Sequence, residues 1–371
     1  MRRAALLIVF AAGCDRCRGE PVPINPRPAY DARPPPNPDA PATWSQAGVL
    51  SAPEASPRVL GMALPFGRVL LWKSEPEIFD THTGAWKKTA PRPPCAATPG
   101  GFERLARIPD EIVFAVGASC GYDAEHDAWV PVPELGVQGQ GWAVTQLPKG
   151  DLLITGGADP SGATKRAFRW DAETKQVATL SLVEARTDHH AFRLLDDTVL
   201  VTAATAGAHL ELFVPSTSTF RVLGEQTYDG DATMLDDGRV VFLSPGKCGL
   251  YDPSSATWLA CPAMNVRRVP RTFTMTAIPG DRLLVSGGRA EKDPSRPLDL
   301  AEVYDPRDDT WTDVLGMPVA RAEHVAVPLL DGRVVIVGGK GDRGPIAEAF
   351  FFTPEPEPPP PPVPGEDAAS D

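Results

Sequence analysis

Short apolar runs recur along this chain, each led in by a turn-forming glycine or acidic residue. The runs are Val69–Trp72, Ile112–Val116, Leu152–Thr155, Val199–Thr202, Val240–Leu243, Leu283–Ser286 and Val334–Val337. Their leads are Gly67, Glu111, Gly150, Asp197, Gly238, Asp281 and Gly332. Hydrophobicity within a run is continuous rather than alternating, which marks a strand covered on both faces. The spacing of about 40 to 52 residues fits a repeating unit of four short strands. A second pattern keeps step with the first, pairing two large apolar residues seven positions apart across a polar turn. The pairs are Phe79 and Trp86, Tyr122 and Trp129, Trp170 and Val177, Phe213 and Phe220, Tyr251 and Trp258, Tyr304 and Trp311. The turns between them, such as Asp80–Gly84, Asp252–Ala256 and Asp305–Thr310, are rich in Asp, Gly, Pro, Ser and Thr. Each pair predicts a hairpin of two outer strands, with its large residues packed between neighbouring units.

The last unit is short of one strand, because Phe350–Thr353 gives way to proline, which cannot sustain a ladder. Thr43-Trp44-Ser45-Gln46 resembles Thr310-Trp311-Thr312-Asp313 of the sixth unit. The N-terminal strand is therefore expected to complete the final unit and close the ring, leaving no open blade. The expected fold is all-β: one seven-bladed β-propeller over residues 42–353.

Within this frame Gly156-Gly157, Gly287-Gly288 and Gly338-Gly339 each end an apolar strand and precede a pair of large residues. Arg186 with His189 or His190, and Arg321 with His324, lie just before the first strand of a unit. On these residues the chain resembles kelch-repeat propellers over residues 42–353. The likeness is strong in units three, six and seven. Ala203-Ala204 and Ser244-Pro245 replace the double glycine in units four and five, so altered loops are expected there.

Composition agrees with one large all-β domain, since 33 Gly and 42 Pro punctuate the short runs and no amphipathic helix is evident. A formal net charge of -12 argues against nucleic acid as a partner. Residues 1–13 have the layout of a secretory signal, with Arg2 and Arg3, then apolar Ala4 to Phe10, then Ala11-Ala12-Gly13 before Cys14. That ending resembles a bacterial lipobox, although Ala11 stands where Leu is usual, and it implies lipidation of Cys14. An envelope protein held by lipid alone is expected, with residues 14–41 as a Pro-rich tether and 354–371 as a Pro-rich acidic tail.

Export makes the remaining thiols candidates for pairing. Cys248 and Cys261 fall at the same end of adjacent antiparallel strands of unit five, and Cys120 occupies the matching place in unit two, with Cys95 on the connection entering it. Bonds Cys248–Cys261 and, by analogy, Cys95–Cys120 are expected; free thiols or a zinc site are the alternatives. Cys17 is left over near the anchor.

Catalytic chemistry finds little to use. The six histidines fall in hairpin turns, at the start of an outer strand (His209) or at the repeat's Arg/His position, which favours structural hydrogen bonding. Similar propellers include copper-radical oxidases, which need Tyr, His and Cys about the axis. Of five tyrosines here, Tyr122, Tyr251 and Tyr304 serve the repeat and Tyr30 lies in the tether, so that chemistry is not expected. No phosphate loop, metal motif or cofactor motif is present.

Charge is better sorted. Lys165, Arg166, Arg186, Arg267, Arg268, Arg271, Arg289, Lys292, Arg296, Arg321, Lys340 and Arg343 fall in connections between units or loops joining second to third strands. Asp110, Glu111, Asp123, Asp127, Asp196, Asp197, Asp236, Asp237, Asp308 and Asp309 fall in the hairpins of the other face. The first set predicts a basic loop face suited to an anionic glycan or an acidic protein surface. The insertion Arg289–Leu300 is its expected recognition loop. The expected function is non-enzymatic binding by a monomeric envelope lipoprotein. The alternative is a periplasmic sugar mutarotase or isomerase using Glu184 with Arg186, or Glu323 with Arg321.

Overall fold

The computed structural model describes residues 41–356 apart from 52, 54–58, 98–103, 109–111, 133, 134, 136, 138, 204 and 205. The expected signal, Cys14, Cys17, nearly all of the tether and the tail beyond residue 356 lie outside the described residues.

Seven four-stranded antiparallel sheets form the blades of a propeller. Blade 1 is built from Leu60–Leu64, Arg68–Trp72, Glu77–Asp80 and Ala85–Lys88, in that order from first to fourth strand. Blades 2 to 6 open with Leu105–Ile108, Gln140–Gln146, Ala191–Arg193, Asp231–Met234 and Thr274–Ile278. Blade 7 takes Val325–Pro328, Val334–Val337 and Glu348–Thr353 from the end of the chain and Thr43–Val49 from its beginning. Thr43 faces Thr353 and Trp44 faces Phe352, with their rings 5.0 Å apart, so the N-terminal strand closes the ring.

The continuous apolar runs are the second strands, and the packing explains them. Val69 and Leu71 enter the core between blades 7 and 1, whereas Leu70 and Trp72 enter the core between blades 1 and 2. Alternate residues thus serve opposite faces, and both faces are buried. Each of the seven interfaces between blades has its own cluster of this kind.

The outer hairpins keep the expected register: Tyr304 pairs with Trp311, Tyr251 with Trp258 and Phe213 with Phe220. The tryptophan also ties its blade to the preceding one. Trp86 Nε1 donates to the Ala47 carbonyl at 3.2 Å, Trp129 to Ala90 at 2.9 Å and Trp311 to Pro262 at 2.8 Å. Aspartates of these hairpins serve the turns. Asp80 accepts from the amides of His82 and Thr83, while Tyr122 and Tyr304 donate to Asp127 and Asp309, two aspartates with left-handed backbones. Both expected disulfides are present, Cys95–Cys120 and Cys248–Cys261, with Cα separations of 5.4 and 5.0 Å.

Candidate functional site

The face carrying the connections between blades is built on a repeated clamp. Arg186, on the connection into blade 4, is buried, pairs with Glu211, and donates to the carbonyls of Thr202 (2.6 Å) and His209 (3.2 Å). Arg268 does the same for blade 6, pairing with Glu302 and donating to Gly287 (2.9 Å) and Val266 (3.0 Å). In blade 7 Phe350 takes the place of the glutamate. Arg321 lies over its ring at 5.3 Å and donates to the carbonyls of Gly338 and Glu348. Burial pushes the Arg321 guanidinium down to about 10.

The acid partners escaped the sequence reading, yet they leave a signal. Glu77, Glu211 and Glu302 each stand two residues before the first aromatic of an outer pair and are fully buried. Their carboxylates accept from connection amides, as Glu211 does from Val183 (2.8 Å) and Glu184 (2.9 Å). Two further repeat positions complete the clamp. His189 Nε2 lies 2.8 Å from the Thr155 hydroxyl, and His324 Nε2 lies 3.1 Å from those of Ser286 and Thr274.

Arg186, Arg268 and Arg321 are thus spent on the scaffold rather than offered to solvent. The other expected ligand-face cations are spread over the surface. Arg166 pairs with Asp159 at 3.3 Å beside exposed Lys165. Arg267 is exposed and its guanidinium lies against Gly246. The expected recognition loop forms a small hairpin, Arg289–Ala290 with Asp293–Pro297, next to a second, Lys340–Gly341 with Gly344–Pro345. Arg296 reaches Asp342 between them at 3.8 Å, and Arg343 is exposed at the tip of the second. The Glu-Arg pairs considered for catalysis divide: Glu184 lies 3.9 Å from Arg186 but accepts from His209 Nδ1 at 2.6 Å, and Glu323 faces Arg289 at 4.0 Å.

A different set of side chains converges at the axis on this same face, around a cavity of about 560 Å³. Arg104 precedes the first strand of blade 2, Asp188 and His190 precede that of blade 4, Asp229 and Asp231 open blade 5, and Arg271 precedes blade 6. Asp188 and Arg271 both have left-handed backbones, φ 52° and 61°, and their amides are held by Gly141 O (2.7 Å) and Asp231 Oδ2 (3.0 Å). His190 stacks on Phe192 with ring centroids 5.8 Å apart and planes 9° from parallel. Burial lowers the pKa of both Arg104 and His190, so the imidazole is neutral at pH 7; Arg271 adds to the lowering in each case, while Asp188 and Asp231 oppose it. In blade 5 the tight Ser244–Lys247 turn that replaces the double glycine brings Ser244 and Pro245 to the rim. Arg271, His190 and the Ser244-Pro245 loop were marked in the sequence, whereas Arg104, Asp188, Asp229 and Asp231 were not. With Arg271 they come from four connections, and only ring closure brings them together. Among the described residues, no group of three or more His, Cys, Asp or Glu is arranged to hold a metal ion.

Comparison with known proteins agrees with the repeat. The Kelch motif family matches residues 270–318. The human Kelch-like protein 34 is 36% identical over 125 residues, which is 33% of this chain and 18% of that protein. Among solved structures, a fungal alcohol oxidase of the AA5 family, in complex with copper, superposes with a TM-score of 0.65 at 14% identity, covering 84% of this chain and 76% of that one. The likeness to the oxidase is one of fold alone.

Proposed function

We propose that this kelch-repeat propeller is a non-enzymatic binding protein of the bacterial cell envelope, tethered through a lipid on Cys14 and binding its ligand on the connection face. The observation that carries the reading is the axial cavity, where Arg104 and Arg271 meet Asp188 and Asp231 on four separate blades. Rigid blades hold side chains from independent connections about one hollow, an arrangement suited to recognition.

The chain ends support the tethered arrangement. Thr43 pairs with Thr353 at the end of a third strand, so these two strand ends lie on the face opposite the cavity. A tether entering there holds the propeller from behind and leaves the mouth open. The ligand is an anionic glycan or an acidic protein surface, bound by a monomer without a cofactor.

Fractionation and binding test the proposal together. The wild-type chain is expected with membranes and Cys14→Ser in the soluble fraction, with the same profile on a glycan array and an envelope-protein panel. Equal solubility of the two would end the anchoring part. A blank profile, or chemical turnover of a bound sugar, would end the binding part.

A further inference from the structure

We infer that the axial cavity is a sugar-acid site, in which Arg104 and Arg271 hold the single carboxylate of a uronate-type sugar and Asp188 and Asp231 accept its hydroxyl protons. The inference rests on the binding reading above and deepens it by choosing among anionic ligands. Three features of the cavity make the choice.

The first is a pair of like charges facing one hollow. Arg104 and Arg271 come from blades 2 and 6 and line the same cavity. Beyond the effect of burial, the Arg271 charge lowers the Arg104 pKa. A carboxylate between two guanidiniums turns that repulsion into attraction and offers planar acceptors to planar donors.

The second feature excludes a polyanion. Asp188, Asp229 and Asp231 line the same cavity and outnumber its two arginines. An acidic peptide or polyphosphate would bring several negative charges against these carboxylates. A uronate brings one charge and several hydroxyl donors, which suits a site of both signs. The third feature is the wall formed by Phe192 stacked on neutral His190, a flat surface for the C–H face of a pyranose ring. The volume of about 560 Å³ lies within the usual range for small-ligand sites and exceeds what one sugar fills. A short oligosaccharide that carries one uronate therefore fits better than a monosaccharide alone.

Calorimetric titration of the full chain distinguishes the outcomes, using an aldotriouronic acid (one glucuronate on two neutral xyloses), the neutral xylose trimer and a hexapeptide of Asp and Glu. The expected result is binding of the uronate, at least about tenfold stronger than the neutral trimer, because only the uronate brings a carboxylate to the two guanidiniums. Arg104→Ala and Arg271→Ala should each weaken it about tenfold, and Arg271→Lys less, while Arg343→Ala leaves it unchanged. Unchanged circular dichroism would verify that the variants fold. Equal binding of the neutral trimer, or tighter binding of the peptide, would overturn the inference. Uronate binding that survives both alanine variants but is lost in Arg289→Ala, Arg296→Ala or Arg343→Ala would also overturn it, yet leave the broader binding reading standing. No uronate binding at all overturns the inference, and the envelope-protein panel then decides the broader reading.

Discussion

His189 and His324 each lie beneath the double-glycine corner of the preceding blade, hydrogen bonded through Nε2, with an Nδ1 that has no hydrogen-bond partner. Burial pushes both imidazoles down to about 3 from an ordinary value near 6.5, and the neighbouring Arg186 and Arg321 add to the shift. Between those two pH values the unfolded chain binds protons that the folded chain refuses. Stability is therefore full above about pH 6.5 and falls as the pH drops toward 3, by up to about 1.4 kcal/mol per pH unit for each histidine. Urea unfolding between pH 7 and 4 should show this slope, flattened in the double variant His189→Gln, His324→Gln. The same slope in both proteins would mean the buried carboxylates alone set the acid response. At this scale the sequence was half legible. Recurrence at matching positions gave the histidines their structural role. It could not reveal that Arg186, Arg268 and Arg321 point inward, because a loop arginine has the same local pattern whether it reaches solvent or a buried glutamate.

The double glycines show what an element needs from its residues. Gly338 and Gly339 follow the second strand of blade 7 with φ of 68° and 88°, two consecutive left-handed positions that only glycine adopts at little cost. They differ in surroundings. A side-chain carbon at Gly338 would meet nothing within 4 Å, whereas at Gly339 it would come within 2.7 Å of the Ala322 carbonyl oxygen and the His324 Cβ. Gly338→Ala is expected to cost about 1 kcal/mol, the backbone penalty alone, and Gly339→Ala about 2 to 4 kcal/mol. Equal shifts in urea midpoint would show that the corner relaxes and that the clamp around His324 is not rigid. Strand, hairpin and disulfide were legible in the sequence because each is local. Tyr304 and Trp311 sit seven apart on one hairpin, and Cys248 faces Cys261 across another.

For the whole molecule the decisive contact is between its two ends. Thr43–Val49 covers Glu348–Thr353, and Ala47 and Leu50 join Val69, Phe79 and Phe351 in the core between blades 7 and 1. Removing residues 1–50 would expose that core and leave the third strand of blade 7 as an open edge. Such a protein should melt several degrees below one starting at residue 42 and aggregate on heating. Identical melting of the two would mean that the N-terminal strand is ornament rather than closure.

The sequence by itself determined the number of blades, the identity of their strands, the strand that closes the ring and both disulfides. Each follows from a period, a turn or a pair of facing positions that neighbouring residues carry. The tertiary structure decided which charges are free. It buried Arg186 and Arg268 against glutamates of the blades their connections enter, and it gathered Arg104, Asp188, Asp231 and Arg271 from four connections onto one axis. No spacing along the chain encodes that meeting, because the distance between blades is set by ring geometry and not by sequence separation.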